Sequence, residues 1–411
     1  MLYITHDHEL SLADKIRLMQ EDARFDVADQ PEAAGRSHPE EESIPDPSIF
    51  EDIHAKKTPP KVPKVFLSNH CSFNCAYCSC RASRDTGARY CNSPREMAEI
   101  ALKQAGNGGH GIFITSAIYK NADYTQELII ETLRILRKEL FYEGYIHAKV
   151  MPGTNPFLIE KSGQYANRLS VNIEVAQNAG FERVARQKNK ENILTPMLHI
   201  SNLVRNARQF KSRSYPLRAK SQTTQLMAGS TGESDRTILL LSKALYKKYD
   251  LSRVYYTAFH YTNPARGYDL PFTATPLWRV WRLYQADRLM QLYGFTPEEI
   301  TPEEAPDFQA DLDPKLGWAI RNIHLFPIEV NTADYEELLR IPGIGLTFAQ
   351  KIIRARSCGT VTHQTLRRIG VALKKSSYFI TCGGKYEGGS TGLNPELLRL
   401  ILKENIIPPV S

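Results

Sequence analysis

Six short β-rich runs alternate with longer amphipathic stretches from residue 62 onward, and this alternation constrains the fold more than any other feature of the 411-residue chain. Helical patterns between the runs include residues 93 to 105, 125 to 140 and 235 to 249. Such alternation is typical of parallel strands joined by right-handed crossovers. Six units are too few to close an eight-stranded barrel, so we expect an α/β fold based on a partial (β/α)6 TIM-like barrel. The β-rich runs are residues 64 to 69, 111 to 117, 146 to 152, 168 to 175, 223 to 229 and 253 to 259.

Charge and composition divide the chain further. The first 50 residues carry a net charge of −8, which leaves +15 for the remainder and favours anionic partners. The acidic, proline-containing stretch from residue 29 to 48 has few large apolar residues and is therefore expected to be flexible. We expect four regions: an N-terminal helix in residues 1–28, an acidic flexible segment at 29–61, the barrel at 62–320, and an all-α domain at 321–411.

The sequence predicts a cytoplasmic protein. No run of 18 apolar residues could span a bilayer, and the N-terminus has no apolar signal core. An odd count of seven cysteines in so long a chain argues against a disulfide framework. Clustered thiols in a reducing compartment more often bind metal or perform redox chemistry.

Cys71, Cys75 and Cys78 follow the first predicted strand in a C-x3-C-x2-C pattern. In folds of this class, the chemistry collects at the carboxyl ends of the strands. Three thiolates on one loop can hold three irons of a [4Fe-4S] cluster and leave the fourth iron open. The alternative is structural zinc, for which Cys80, Cys91, His70 and His110 are the nearby candidates for a fourth ligand.

This pattern resembles the signature of the radical S-adenosylmethionine enzymes, including the aromatic residue, Tyr77, before the last cysteine. The resemblance implies a [4Fe-4S] cluster and S-adenosylmethionine as cofactors. The cluster reductively cleaves S-adenosylmethionine, and the resulting radical abstracts hydrogen from a substrate. It also implies an electron donor such as flavodoxin or ferredoxin.

The resemblance extends to positions at the ends of later strands, which in the family contact S-adenosylmethionine. Ala117 stands where the family has glycine in the turn after the second strand. For Asn172 and Glu174, the alternative is the ordinary alternation of polar residues along a strand. For Gly229, it is an ordinary strand-to-helix turn. With Tyr77, the implied cofactor-binding residues are Thr115, Ser116, Asn172, Glu174 and Gly229.

Residues 276 to 295, the NIEV run (172 to 175) and the C-terminal region resemble one branch of the superfamily, proteins assigned to DNA modification or repair. Members of this branch are often associated with a uracil-DNA glycosylase-like partner. The branch has no established reaction, so it supplies no substrate.

Residues 330 to 356 predict two helices around the turn Pro342-Gly343-Ile344-Gly345, with the first helix starting at Asn331 or Thr332. This pattern resembles the helix-hairpin-helix motif, in which backbone amides bind phosphate without reading base sequence. Seven bases and no acid lie between residues 351 and 375. We expect Gly343, Gly345, Lys351 and Arg354 to bind nucleic acid, whereas the alternative is a plain helical hairpin.

Together these patterns predict a radical S-adenosylmethionine enzyme that modifies or repairs a nucleotide in DNA. Two alternatives remain open. One is the same chemistry on RNA, and the other is a DNA-binding iron-sulfur scaffold or redox sensor without radical catalysis. The sequence does not identify a further catalytic residue.

Overall fold

The computed structural model describes residues 11–23, 62–84, 87–106, 111–210, 217–260, 274–389 and 392–404. The predicted acidic segment at 29–61 lies outside the described residues. Two compact units are present. The first comprises Met1–Glu233 and Ala244–Leu277, and the second Ser234–Lys243 and Trp278–Ser411.

The first unit contains a six-stranded parallel sheet in the order β1 to β6, so every strand pairs with its neighbour in sequence. All six predicted strands are confirmed. Phe113 of the second strand and Tyr255 of the sixth pack together with Val62, which shows that the sheet curves. The strands are β1 (Lys64–Phe66), β2 (Ile112–Thr115), β3 (Ile146–Lys149), β4 (Arg168–Ser170), β5 (Ser221–Ala228) and β6 (Leu251–Ala258).

Helices connect these strands, as the alternation predicts. A further helix, α1 (Leu12–Ala23), lies within the region 1–28 that was predicted as an N-terminal helix, and Met19 on it is fully buried. The connecting helices are α2 (Pro94–Ala105), α3 (Ala122–Lys138), α4 (Pro156–Tyr165), α5 (Ala179–Val184), α6 (Lys190–Phe210) and α7 (Asp235–Tyr249).

Helix α2 shows how local sequence fixes an element. The Ser93 side chain accepts a hydrogen bond from the amide of Glu96, and the Glu96 carboxylate accepts one from the amide of Ser93. This capping box satisfies two amides that the first turn leaves open. Met97 and Ile100 are buried, and burying an aliphatic side chain of this size contributes about 1.5–3 kcal/mol.

The second unit contains the C-terminal helices around an aromatic core. The Trp318 ring lies 5.2 Å from that of Phe295 and 6.2 Å from that of Phe326, which in turn lies 5.1 Å from Phe379. The helices are α8 (Leu277–Leu292), α9 (Pro297–Ile300), α10 (Pro314–Arg321), α11 (Tyr335–Arg340), α12 (Leu346–Arg356), α13 (His363–Arg368), α14 (Leu373–Ser376) and α15 (Pro395–Leu402).

The prediction of an all-α C-terminal domain needs one amendment, because the second unit also has a three-stranded sheet. Its strands are β7 (Ile328–Glu329), β8 (Ile380–Cys382) and β9 (Lys385–Tyr386). Strands of two or three residues give no alternation that a sequence can reveal. The predicted boundary after residue 320 stays a prediction, because compactness does not test which segment folds by itself.

Glu329 joins the ends of this small sheet. Its carboxylate accepts hydrogen bonds from the amides of Asn331, Gly383 and Gly384, at 3.0, 2.9 and 2.8 Å. Although burial raises the pKa of Glu329, the amides of Gly384 and Gly383 lower it to about 2. Among the described residues, no helix is long and apolar enough to cross a membrane.

Candidate functional site

The segment with Cys71, Cys75 and Cys78, here called the cysteine loop, follows β1 at the carboxyl edge of the parallel sheet. Backbone hydrogen bonds hold it on two sides. The amide of Ser72 donates to the carbonyl of Ile118, which follows β2, at 2.8 Å. The amide of Ala76 donates to the carbonyl of Val184 in α5, also at 2.8 Å. The loop is therefore fixed by the connections that follow β2 and β4.

Cys71, Cys75 and Cys78 are free thiols that interact electrostatically with one another. Burial raises the pKa of Cys71, and it raises that of Cys75 to about 12. Cys78 differs, since a hydrogen bond from Cys80 lowers its pKa to about 7. Two of the three thiols thus stay protonated unless a bound cation offsets the cost of burying thiolates.

We find no group of three or more His, Cys, Asp or Glu side chains that could hold a single metal ion within the described ranges. Cys80 is buried and Cys91 is half-buried, and both are free thiols. The amide of Cys80 donates to the Cys78 sulfur at 3.4 Å, and this hydrogen bond helps to lower the pKa of Cys78.

Lys188 is a functional candidate that the sequence analysis missed. Its Nζ donates to Glu174 Oε1 at 2.6 Å and to the Tyr77 hydroxyl at 3.2 Å. The Lys188 and Glu174 side chains are only 11% and 5% exposed. Burial lowers the pKa of Lys188, but the charges of Glu174 and Cys75 outweigh it and raise the pKa above its usual value. A buried ion pair therefore lies against the cysteine loop.

Glu174 has an unusual backbone. Its φ of 64° is in the left-handed region, which a side chain other than glycine rarely adopts. Hydrogen bonds to β5 hold it there: its amide donates to Gln225 at 3.0 Å, and its carbonyl accepts from Met227 at 2.8 Å. Backbone strain of this kind clusters at functional sites.

Thr115 and Ser116 lie at the end of β2, where the sequence analysis expects cofactor contacts. Both are buried, and the amide of Ala117 donates to the carbonyl of Ser68 at 2.8 Å. This amide is therefore already engaged in the turn. Asn172 is also buried and lies two residues before Glu174.

Gly229 begins the turn after β5 with a φ of 84°. Its amide donates to Glu233 Oε1 at 2.5 Å, so the carboxylate closes the turn. Helix α5 links this turn to the cysteine loop: Arg183 donates to the carbonyl of Thr231 at 3.2 Å, and Val184 holds Ala76. The structure thus brings Tyr77 and Glu174 to the cysteines directly, and connects Gly229 to them through α5.

The predicted helical hairpin is present in the second unit, between α11 and α12. The first helix begins at Tyr335 with Asp334 as its N-cap, so the start predicted at Asn331 or Thr332 is wrong. The Asn331 side chain instead donates to the carbonyl of Val361 at 3.0 Å. Asp334 forms a capping box with Glu337, a D-x-x-E signal that was readable in the sequence.

The turn between α11 and α12 is built around two glycines. Gly343 has a φ of 86°, and a Cβ there would lie 3.4 Å from the Cβ of Ser376. Gly345 is the N-cap of α12 and, having no side chain, makes no capping hydrogen bond. The first-turn amides of α12 therefore receive no acceptor from the N-cap side chain.

The basic residues of this region divide into two groups. Lys351 and Arg354 are exposed on α12, and the Lys351 ammonium also donates to the carbonyl of Ile369 at 3.4 Å. Arg356 instead donates to the carbonyls of Val330 and Ala333, both at 2.7 Å. Lys375 pairs with Asp313 at 2.8 Å and with Glu404 at 3.4 Å. Arg356 and Lys375 therefore stabilise the unit.

Comparisons with known proteins were made in sequence and in structure. A helix-hairpin-helix motif model matches residues 327–363. A search of curated protein sequences found no match.

Several solved structures are similar to parts of the chain. The FeFe-hydrogenase maturase HydG from Carboxydothermus hydrogenoformans has a TM-score of 0.43 and 16% identity over 56% of this chain and 52% of its own. A second HydG structure has a TM-score of 0.39 and 11% identity, covering 69% and 62%.

TsrM from Kitasatospora setae, a radical S-adenosylmethionine methyltransferase with cobalamin and a [4Fe-4S] cluster bound, has a TM-score of 0.34. It is 12% identical, and the match covers 57% of this chain and 42% of TsrM. In all three comparisons the chain spans less than two thirds of the other protein. Because the scores and identities are this low, we base no conclusion about activity on these likenesses.

Proposed function

We propose that this chain is a radical S-adenosylmethionine enzyme that modifies or repairs a nucleotide in DNA. One observation carries the proposal: three free thiols lie on one loop at the carboxyl edge of a parallel six-stranded sheet, next to a buried Lys188–Glu174 ion pair. The C-x3-C-x2-C spacing of Cys71, Cys75 and Cys78 supports the same reading.

The donor set fits a [4Fe-4S] cluster held by three cysteines. Thiolates are the usual ligands of such clusters, and burial of Cys71 and Cys75 leaves their thiolates in need of a compensating positive charge. When bound, the cluster and S-adenosylmethionine supply an electron and a carbon radical that abstracts hydrogen.

The Lys188–Glu174 pair complements the head group of an amino acid. A lysine ammonium attracts a carboxylate, and a glutamate carboxylate attracts an ammonium. Both side chains are buried, so water competes poorly for either charge. We therefore assign Lys188 to the carboxylate and Glu174 to the amino group of S-adenosylmethionine.

The remaining cofactor positions follow from their place at the same edge of the sheet. Tyr77 shares the Lys188 ammonium with Glu174, which fixes where that ammonium lies. Thr115, Ser116 and Asn172 supply polar groups at the ends of β2 and β4. Gly229 supplies a turn without a side chain, on which a flat ring can rest.

The second unit would hold the nucleic acid. Gly343 and Gly345 let a phosphate approach the amides of α12, and Lys351 and Arg354 add exposed positive charge. A base inside a duplex must leave the stack to reach a buried site, so a flipped or single-stranded nucleotide is expected.

Two partners belong to the same proposal. A flavodoxin or ferredoxin would deliver the electron, because free electrons are not available in solution. The resemblance to the DNA modification or repair branch adds a uracil-DNA glycosylase-like protein, which co-purification with the full chain would reveal.

Anaerobic reconstitution tests the radical chemistry. The protein is loaded with iron and sulfide, treated with dithionite and S-adenosylmethionine, and assayed for 5′-deoxyadenosine. Cys75→Ser should lose both the bound iron and the product, whereas Cys91→Ser should keep both. Zinc in place of iron would refute the proposal, and a complete cluster without 5′-deoxyadenosine would favour a DNA-binding scaffold or redox sensor.

A binding titration tests the substrate class. The full chain is titrated with duplex DNA, single-stranded DNA and structured RNA at several salt concentrations. Lys351→Ala and Arg354→Ala should each weaken binding and reduce the salt slope by about 1. Lys103→Ala, an exposed lysine on α2, is the control and should change neither. Tighter binding of RNA would favour the RNA alternative.

A further inference from the structure

Lys315 lies beneath the hairpin and has no place in the sequence pattern of the motif. It belongs to α10, is 9% exposed, and its Nζ donates to the carbonyl of Ile344 at 2.6 Å. The Tyr293 ring lies 5.0 Å from the same Nζ. A buried ammonium therefore holds the hairpin from its inner side.

The hydrogen bond to the Ile344 carbonyl also affects the N–H at the other end of the same peptide group. The carbonyl of Ile344 and the amide of Gly345 belong to one peptide group. A charged donor on the carbonyl polarises that group and makes its N–H a stronger donor. Because the N-cap of α12 is a glycine without a capping side chain, a phosphate can accept from this end of the helix.

The charges around Lys315 come from Asp313, the N-cap of its own helix α10, and from two other helices, α11 and α14. Burial lowers the pKa of Lys315 to about 7, opposed by Asp313 and assisted by Arg340 of α11 and Lys375 of α14. Arg340 is paired with Glu299 at 2.7 Å. Lys375 is paired with Asp313 and with Glu404, so both neighbouring bases have carboxylate partners. Tyr293, after α8, contributes a neutral ring.

We propose that Lys315 is a positioning residue of the hairpin phosphate site, and that a backbone phosphate and a proton bind there together. The inference rests on the proposed nucleic-acid function and goes beyond it. It assigns a role to a residue that makes no contact with the nucleic acid, and it makes affinity depend on pH.

The direction follows from linkage. A bound phosphate stabilises the charged amine, so binding takes up a proton wherever free Lys315 is neutral. Affinity should therefore be highest below about pH 7 and fall above it, by at most about tenfold for each pH unit. The coupling is reciprocal, since protonation strengthens phosphate binding by the same factor.

The test measures the dissociation constant of the full chain for a short DNA duplex between about pH 6 and pH 9 at constant ionic strength. The wild type should weaken by at least about fivefold across this range. Lys315→Met should bind weakly at every pH and vary less than about twofold. Lys315→Arg keeps its charge throughout and should bind with little pH dependence. Lys374→Met, on the exposed side of α14, is the control and should keep the wild-type pH profile.

Calorimetry gives a second readout that needs no folded variant. Binding heats in two buffers of different ionisation enthalpy report the protons taken up, and we expect net uptake by the wild type above about pH 7. A wild-type profile in Lys315→Met, or no proton uptake by the wild type, would overturn the inference while leaving nucleic-acid binding intact. Failure of the wild type, as well as every variant, to bind at low salt and any pH would overturn the proposed function instead.

Discussion

Lys188 and Lys315 are both buried, yet their surroundings act on them in opposite directions. Glu174 and the cysteine Cys75 raise the pKa of Lys188, so that lysine stays charged. Lys315 has a backbone carbonyl as its partner, and burial lowers its pKa to about 7. The partner of a buried lysine, more than its burial, decides its charge at neutral pH.

Removal of Lys188 should be strongly destabilising. Lys188→Met leaves the Glu174 charge buried without its partner, which costs about 3 kcal/mol of unfolding free energy. The double variant Glu174→Gln with Lys188→Met should recover most of that loss. Urea denaturation of the metal-free single and double variants measures both, and a loss in the double variant equal to the sum of the two single losses would show that the pair is not coupled.

Lys315 should make unfolding depend on pH. Unfolded lysine titrates near 10.5, while folded Lys315 titrates near 7, so between these values the unfolded chain binds one more proton. Stability relative to Lys315→Met should therefore rise with pH in this window, by up to about 1.4 kcal/mol for each unit. Urea curves of both proteins at matched pH values measure the difference, and a constant difference would contradict the assigned titration.

The hairpin between α11 and α12 depends on one backbone conformation. Gly343→Ala places a side chain at a φ of 86°, which costs about 1–2 kcal/mol, although its Cβ would lie in van der Waals contact with Ser376 at 3.4 Å. We expect both a lower melting temperature and weaker nucleic-acid binding. Gly317→Ala, inside α10 and 3.5 Å from Arg321, is the matched control and should be neutral or stabilising.

Elements with a clear period were predictable from the sequence. The six strands of the sheet and α1 to α3 follow from apolar spacing, and the cysteine loop follows from its position after β1. Lys188 and Lys315 were not predictable, because a single lysine carries no local signal and its burial depends on distant elements. The start of α11 was misplaced because Asn331 and Thr332 are also good caps, and only Glu337 distinguishes Asp334 from them.

The whole chain combines two compact units, and their extents bear on how the protein can be divided. A fragment ending at residue 320 would keep Trp318 and Leu316, which are buried, but lose Phe326 beside Trp318. We expect it to be less soluble than a fragment ending at residue 277. Expression of both and gel filtration measure this, and a monomeric, cooperatively unfolding 1–320 fragment would support the predicted boundary.

Glu329 has a consequence for how a strand of nucleic acid could lie on the second unit. The adjacent amides of the turn at Gly383 and Gly384 could bind an anion such as phosphate, but both already donate to the carboxylate of Glu329. An approaching polyanion meets repulsion at that turn and attraction at the hairpin. The Gly383–Gly384 turn is already occupied by the Glu329 carboxylate, so a nucleic-acid strand would bind at the hairpin between α11 and α12 instead.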